Sequence, residues 1–295
     1  MRILVTGREG QVARALSELG AAKGHTVVTL ARPILDLAGQ PASIINAIQS
    51  ERADVIVSAA AYTAVDRAES EPDLAFAVNE RGPAAIARAA RIMSAPLIHL
   101  STDYVFDGNK EAAYVEEDVT NPKSIYGASK LAGEKALLDE HHDSAILRTA
   151  WVYSPFGANF VKTMLRLAAD HDQIQVVADQ RGTPTSALDI ADAILAVALN
   201  MLGSPEANMR GIFHMAGSGE TNWAEFAQEI FASSAKMGGP SAAVRPITTA
   251  EYPTKARRPA NSRLNSDRLA RVHGVKLPAW RESLNPVMQR LTIAC

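Results

Sequence analysis

The sequence predicts a doubly wound α/β fold with a smaller α/β domain at its C-terminal end. Three observations predict it. Short apolar runs alternate with longer amphipathic ones through residues 1–150. The first apolar run ends in a Gly-containing turn that opens directly into a helical pattern. Aromatic residues make up only 5% of the chain while alanines abound, which suits helices packed closely on a sheet. Strands separated by helices of this length describe a parallel sheet of the Rossmann type.

The elements follow in order. Arg2–Thr6 is apolar and β-branched and reads as a first strand, starting at once and leaving no room for a signal peptide before it. Val12, Ala15, Leu16 and Leu19 recur behind it at helical spacing. Residues 25–30 and 55–59 read as the next two strands, 84–93 as a helix and 97–101 as a fourth strand. An alanine-rich helix then leads to a strand at 146–150. After Val152 the pattern loosens. Residues 160–169 and 186–202 are helical, 212–215 extended, and 221–233 helical with cap chemistry at Thr221 and Asn222. Residues 1–150 are therefore expected to form the dinucleotide-binding domain and 151–295 mainly the substrate domain. Helices from 186–210 are expected to pack back on the first.

Charge and composition exclude several functions. The 295 residues hold 30 Lys and Arg against 32 Asp and Glu, a net charge of -2, so a nucleic-acid binder's basic footprint is missing. No apolar run approaches the length of a membrane span, and a cytoplasmic protein is expected. The single cysteine, Cys295, excludes intrachain disulfides and Cys-based zinc sites. His141 and His142 precede Asp143; adjacent residues do not share a helix face, so they read as a solvated turn and no metal site is expected.

Three motifs carry chemistry. Residues 6–13, Thr-Gly-Arg-Glu-Gly-Gln-Val-Ala, lie between the first strand and helix, where a dinucleotide pyrophosphate meets backbone N–H groups. Gly7 permits the tight turn, Gly10 lets backbone approach phosphate, and Ala13 allows close helix packing. At the end of the second strand, Leu30-Ala31-Arg32 offers a guanidinium and no carboxylate, which favours a 2′-phosphate and hence NADPH over NADH. Tyr126 and Lys130 stand four apart on one helix face, where an ammonium is expected to lower the phenol pKa and ready it as a proton donor. Ser101-Thr102 closes an apolar strand at its carboxyl end, where a hydroxyl meets the same carbonyl.

With these residues in place the chain resembles the extended short-chain dehydrogenase/reductases, and within them the branch that reduces 4-keto deoxysugars carried on a nucleoside diphosphate. The match runs through residues 59–66 (Ala-Ala-Ala-Tyr-Thr-Ala-Val-Asp), 101–108 (Ser-Thr-Asp-Tyr-Val-Phe-Asp-Gly) and 126–134 (Tyr-Gly-Ala-Ser-Lys-Leu-Ala-Gly-Glu). It continues through 148–153 (Arg-Thr-Ala-Trp-Val-Tyr), 179–185 (Asp-Gln-Arg-Gly-Thr-Pro-Thr) and 258–264 (Arg-Pro-Ala-Asn-Ser-Arg-Leu).

The resemblance implies that NADPH, with NADH the lesser alternative, reduces dTDP-4-dehydro-L-rhamnose to dTDP-L-rhamnose. Tyr126 would donate the proton, Lys130 hold the nicotinamide ribose, and Thr102 orient the carbonyl. Gly7, Gly10, Gln11 and Val12 would face the pyrophosphate and Arg32 the 2′-phosphate. Asp36 and Leu37 would lie by the adenine, and Ala59, Ala60, Ala61 and Tyr62 along the cofactor. Val65, Asp103, Tyr104 and Trp151 would line the sugar pocket, and Asn159, Arg258 and Asn261 the nucleotide end. Relatives that dimerise through a divalent metal carry acids where this chain has Ala15 and Leu188, so a monomer or weak homodimer is expected. Ser58 replaces an asparagine common in relatives. Asp103 is followed by Tyr104 and not by the glutamate of the related dehydratases, which disfavours elimination. A 4-epimerase, another reductase on the same fold, or a non-catalytic NADP-binding regulatory subunit remain as alternatives.

Overall fold

A computed structural model describes residues 1–293; Cys295, the lone thiol, lies outside them. The first half runs β1 (Arg2–Thr6), α1 (Gln11–Ala22), β2 (Thr26–Leu30), α2 (Pro41–Gln49) and β3 (Val55–Ser58). Short helices α3 (Val65–Ala68) and α4 (Pro72–Phe76) lead through a π-helical turn at Ala77–Arg81 into α5 (Gly82–Met93). Then come β4 (Leu97–Thr102), α6 (Ile125–Glu140) and β5 (Ser144–Thr149). The second half contains β6 (Val152–Tyr153), α7 (Phe160–Asp170), β7 (Gln173–Val177), β8 (Arg181–Gly182), β9 (Thr185–Ser186) and α8 (Ala187–Gly203). It closes with β10 (Gly211–His214), β11 (Thr221–Asn222), α9 (Trp223–Lys236), β12 (Ala243–Ile247), α10 (Asp267–His273) and α11 (Trp280–Ile293).

Six parallel strands form the main sheet in the order β10-β5-β4-β3-β1-β2. The strand order reverses between β1 and β3, and a crevice opens beyond their carboxyl ends. Because helices cover both faces, β3 in the middle of the sheet is apolar almost throughout: Val55, Ile56 and Val57 are all fully buried. One face packs α1 and α8 through Leu16, Ile190, Ile194 and Val197 against Ile3, Val5 and Leu147. The other packs α2 and α5 through Ile44, Ile48, Ile86 and Ala90. Each such aliphatic side chain removed from water stabilises the fold by about 1.5–3 kcal/mol.

The second half returns to the first. Helix α8 lies on α1, and the strand expected in the substrate domain at 212–215 is instead the sixth strand of the main sheet, paired with β5. A chain cut at residue 150 therefore removes an edge strand and one covering helix. The smaller core packs α7, α9 and α11 on the parallel pair β7 and β12, with Phe226, Ile230, Trp280 and Leu284 inside. Asn222 caps α9 by accepting from the Glu225 amide, as its residue type predicts. His141 is buried and bonded to the Ala95 carbonyl, so only His142 is on the surface.

Helix α6 is seated by two requirements. Ser124 caps it by accepting from the Gly127 amide. Its inward face carries Gly127, Ser129, Lys130, Gly133 and Glu134, polar or small positions where an amphipathic helix carries leucines. A Cβ on Gly133 would lie 1.9 Å from the Asn79 carbonyl oxygen, and one on Gly127 2.2 Å from that of Tyr104. The helix thus approaches bare backbone on both sides. Glu134 reaches β5 and accepts two hydrogen bonds from Arg148, at 2.9 and 2.6 Å, with both side chains only 2% exposed. Pairing in this fork geometry offsets the cost of burying the two charges. Gly133→Ala is expected to lower unfolding free energy by about 1–3 kcal/mol in urea melts. The control Gly203→Ala, where an added Cβ meets no atom within 4 Å, is expected to change it by less than about 0.5 kcal/mol.

Candidate active site

A cleft of about 790 Å³ opens beyond the carboxyl ends of β1 and β3, at the reversal of strand order. Gly7 turns the chain at φ +93°, a left-handed angle that favours glycine, and its N–H donates to the Leu30 carbonyl. The Thr6 hydroxyl accepts from the Ala59 and Ala60 amides and staples the ends of the two strands together. No side chain caps the first turn of α1, so its N–H groups are left for an anion.

The sequence-predicted cofactor residues converge here. Gly7, Gly10, Gln11 and Val12 from the β1–α1 turn, Arg32, Asp36 and Leu37 after β2, and Ala59, Ala60, Ala61 and Tyr62 after β3 all line it. Tyr126 and Lys130 line the inner end. Arg8, which sequence reasoning passed over, also lines the cleft. Like Arg32 it is exposed, and neither forms an ion pair among the described residues. The cleft fits a dinucleotide on two counts. A Cβ at Gly10 would meet no protein atom, and the buried Ser101 and Thr149 hydroxyls at the inner end have no hydrogen-bond partner.

Asn79 was also missed. It sits fully buried on the π-helical turn, accepting from the Tyr62 amide at 2.8 Å and donating to the Tyr62 carbonyl and the Ser129 hydroxyl. Ser129 in turn donates to the Tyr126 carbonyl. One amide therefore ties the cofactor wall to the helix turn bearing Tyr126 and Lys130. Its available signal was a lone amide in the apolar stretch 74–79.

At the inner end, the Thr102 hydroxyl meets the Tyr126 phenol and donates to Asp103 Oδ1 at 3.0 Å. Tyr104 packs edge-on against Tyr126, with ring centroids 5.4 Å apart. Lys130 lies behind, 2% exposed, donating to the Leu100 carbonyl at 2.7 Å and to His99. One expectation is corrected. Burial pushes the Tyr126 phenol upward, outweighing the Thr102 hydrogen bond, and Lys130 does not bring it down. The Lys130 amine is turned toward the sheet instead, and burial lowers its own pKa to about 8. Burial likewise raises Asp103 to about 6, against hydrogen bonds from Ser262 and Thr102, and its Oδ2 has no partner.

The second half covers this end. Arg258 donates to the Tyr104 hydroxyl at 3.1 Å and pairs with Asp66, beside Val65 at the start of α3. It is thus a bridge between the halves and not part of a solvated basic face. Trp151 adopts φ +52°, a strained angle for an indole residue, and stacks on Trp223 with centroids 3.6 Å apart. Two residues expected at the nucleotide end are hydrogen-bonded within the protein. The Asn159 amide caps α7 and donates to Gln11 Oε1 and to the Ser154 and Phe156 carbonyls, fixing the start of α1. Asn261 donates to the Lys110 and Ala112 carbonyls and accepts from Arg263, so its buried amide is fully engaged within the protein. Ala15 and Leu188 lie in apolar contacts, and no cluster of metal-ligating side chains stands among the described residues. No helix among them is long and apolar enough to cross a membrane.

Comparison with known proteins agrees with this construction. A dTDP-4-dehydrorhamnose reductase of Sinorhizobium fredii is 52% identical over 99% of this chain and 98% of the relative. The crystal structure of a dTDP-4-dehydrorhamnose reductase from Clostridium acetobutylicum superposes with a TM-score of 0.90 at 37% identity, covering 99% of each chain. One from Bacillus anthracis, solved in complex with NADP, gives 0.89 at 34% identity, covering 100% of this chain and 99% of that one. The family described as RmlD substrate binding domain matches residues 1–293, and the chain belongs to it.

Proposed function

We propose that this chain reduces the 4-keto group of dTDP-4-dehydro-L-rhamnose, with NADPH, to give dTDP-L-rhamnose. The observation that carries the reading is the Thr102 hydroxyl placed beside the Tyr126 phenol at the carboxyl end of β4, with buried Lys130 one helix turn behind. The relatives' names supply the substrate, and the NADP-bound neighbour supports the cofactor. The same reading places the enzyme in the cytoplasm as a monomer or weak homodimer, since apolar Ala15 and Leu188 replace the acids of a metal-bridged pair.

A reduced nicotinamide supplies the hydride that adds to carbon 4 of the sugar. The protein must place the carbonyl, neutralise the developing alkoxide and supply one proton. Thr102 and Tyr126 present two hydroxyls to one oxygen. As the C=O π bond opens, the Tyr126 O–H bond breaks and its proton completes the new alcohol. Burial keeps the Tyr126 phenol protonated at neutral pH, so its proton is present when the alkoxide, a stronger base than a phenolate, develops. The phenolate left behind regains its proton from solvent before the next turnover. Lys130, charged and one turn away, would hold the ribose edge of the cofactor. Asp103 and Tyr104 border the sugar, and the Trp151 face, backed by Trp223, gives it an apolar platform. Arg258, released from Asp66, is a cation for the nucleoside diphosphate.

Tyr126→Phe is expected to lower kcat by about 10²–10⁴-fold, the usual worth of a positioned acid, with NADPH affinity little changed. The check is NADPH oxidation at 340 nm alongside fluorescence titration; retained turnover would falsify the assignment. Arg32→Ser is expected to weaken NADPH binding by about tenfold and leave NADH binding as it was. Equal losses for both cofactors would show that Arg32 does not read the 2′-phosphate.

A further inference from the structure

We propose that His99 is a positioning residue for Lys130, an acceptor inside the sheet that holds the ammonium in place and Ser58 keeps in register. The proposal rests on Lys130 being the active-site lysine. His99 occupies the third position of β4, in a run that is otherwise apolar up to Ser101, and it is 0% exposed. A histidine buried inside a parallel sheet requires partners on both ring nitrogens. It has them. Nε2 lies 3.1 Å from Lys130 Nζ, and Nδ1 lies 3.0 Å from Ser58 Oγ, on the residue paired with it across β3 and β4.

The donor roles follow from the chemistry of the groups. An ammonium has no lone pair, so Nζ donates and Nε2 accepts. The imidazole proton therefore sits on Nδ1 and is donated to Ser58. Burial and the neighbouring ammonium hold the His99 pKa well below its usual value, so the ring stays neutral, as an acceptor must. Ser58 is 1% exposed and has no second side-chain partner among the described residues, so the row ends there. It is an anchor, and it carries no proton to solvent.

Lys130 needs such an anchor. Four rotatable bonds separate its amine from the helix, and burial alone already lowers its pKa to about 8. The titratable and charged groups around it are Tyr126 and Glu134 on α6, His99 on β4, and Arg148 on β5, which is already paired with Glu134. With Glu134 so engaged, the uncharged acceptors on Nζ are the Leu100 carbonyl and His99 Nε2. Removing His99 leaves one. The neutral amine is then favoured, and Lys130 loses its proton at lower pH.

The test measures Lys130 directly, in the full chain without cofactor. Trace reductive methylation from pH 6 to 10, read by peptide mass spectrometry, reports its protonation midpoint. His99→Leu is expected to lower that midpoint by about one pH unit, and His99→Gln, which keeps an acceptor near Nε2, to restore most of it. Ser58→Ala, a milder change suited to a His99→Leu protein that fails to fold, is expected to move it the same way by less. In turnover, a one-unit shift from about 8 lowers kcat about fivefold at pH 8 and barely at pH 6. Unmoved midpoints in folded His99 and Ser58 variants overturn the anchor. A moved midpoint with an unmoved kcat profile overturns instead the role of Lys130 in the reaction.

Discussion

Everything at the cleft depends on holding a primary ammonium inside the protein at the carboxyl end of a parallel sheet. That demand sets the seat of α6. The helix has to come close enough for Lys130 to reach the Leu100 carbonyl, and only glycine at 133 leaves room for the Asn79 backbone. It also explains the polar inward face of α6. Glu134 and Arg148 form a closed pair beside the ammonium, so the helix brings charge into the core without leaving it uncompensated. Tyr126, one turn earlier on the same face, is then delivered to Thr102 at the end of β4.

The two halves meet at the cleft through contacts that serve both stability and ligand placement. Asn159 fixes Gln11 from the second half, so the start of α1 is held from across the chain. Arg258 joins Asp66 and Tyr104 and so links the two halves. At the other end, Arg8 and Arg32 stand exposed and without an ion pair among the described residues, a local positive charge that the chain's net charge of -2 conceals.

Much of this was legible in the sequence. Strands buried on both faces read as mainly apolar runs, and so β1, β3, β4 and β5 are legible to within two residues of their ends. Tyr126 and Lys130 were legible because four-residue spacing fixes a shared helix face before any tertiary contact exists. What stayed hidden depends on distant partners. Asn79 acts through Tyr62 and Ser129, 17 and 50 residues away. Asn159 and Asn261 looked free to bind a ligand because nothing in a sequence shows that an amide is already engaged. The phenol of Tyr126 was misjudged in direction for a similar reason. Spacing revealed the neighbouring ammonium, while the larger effect of burial appears only once the sheet and helix have closed around it. The strand at 212–215 had the right conformation in the wrong domain, since pairing order is a long-range property.

The most direct measurement follows the hydride itself. With NADPH deuterated on the transferable position and the dTDP-4-keto sugar in a single turnover, NMR and mass spectrometry locate the label. One deuterium at carbon 4 of each product, with one NADP⁺ released per alcohol formed, is the outcome expected of a reductase built around Thr102, Tyr126 and Lys130. Unlabelled product, or sugar converted with no net NADP⁺, contradicts it.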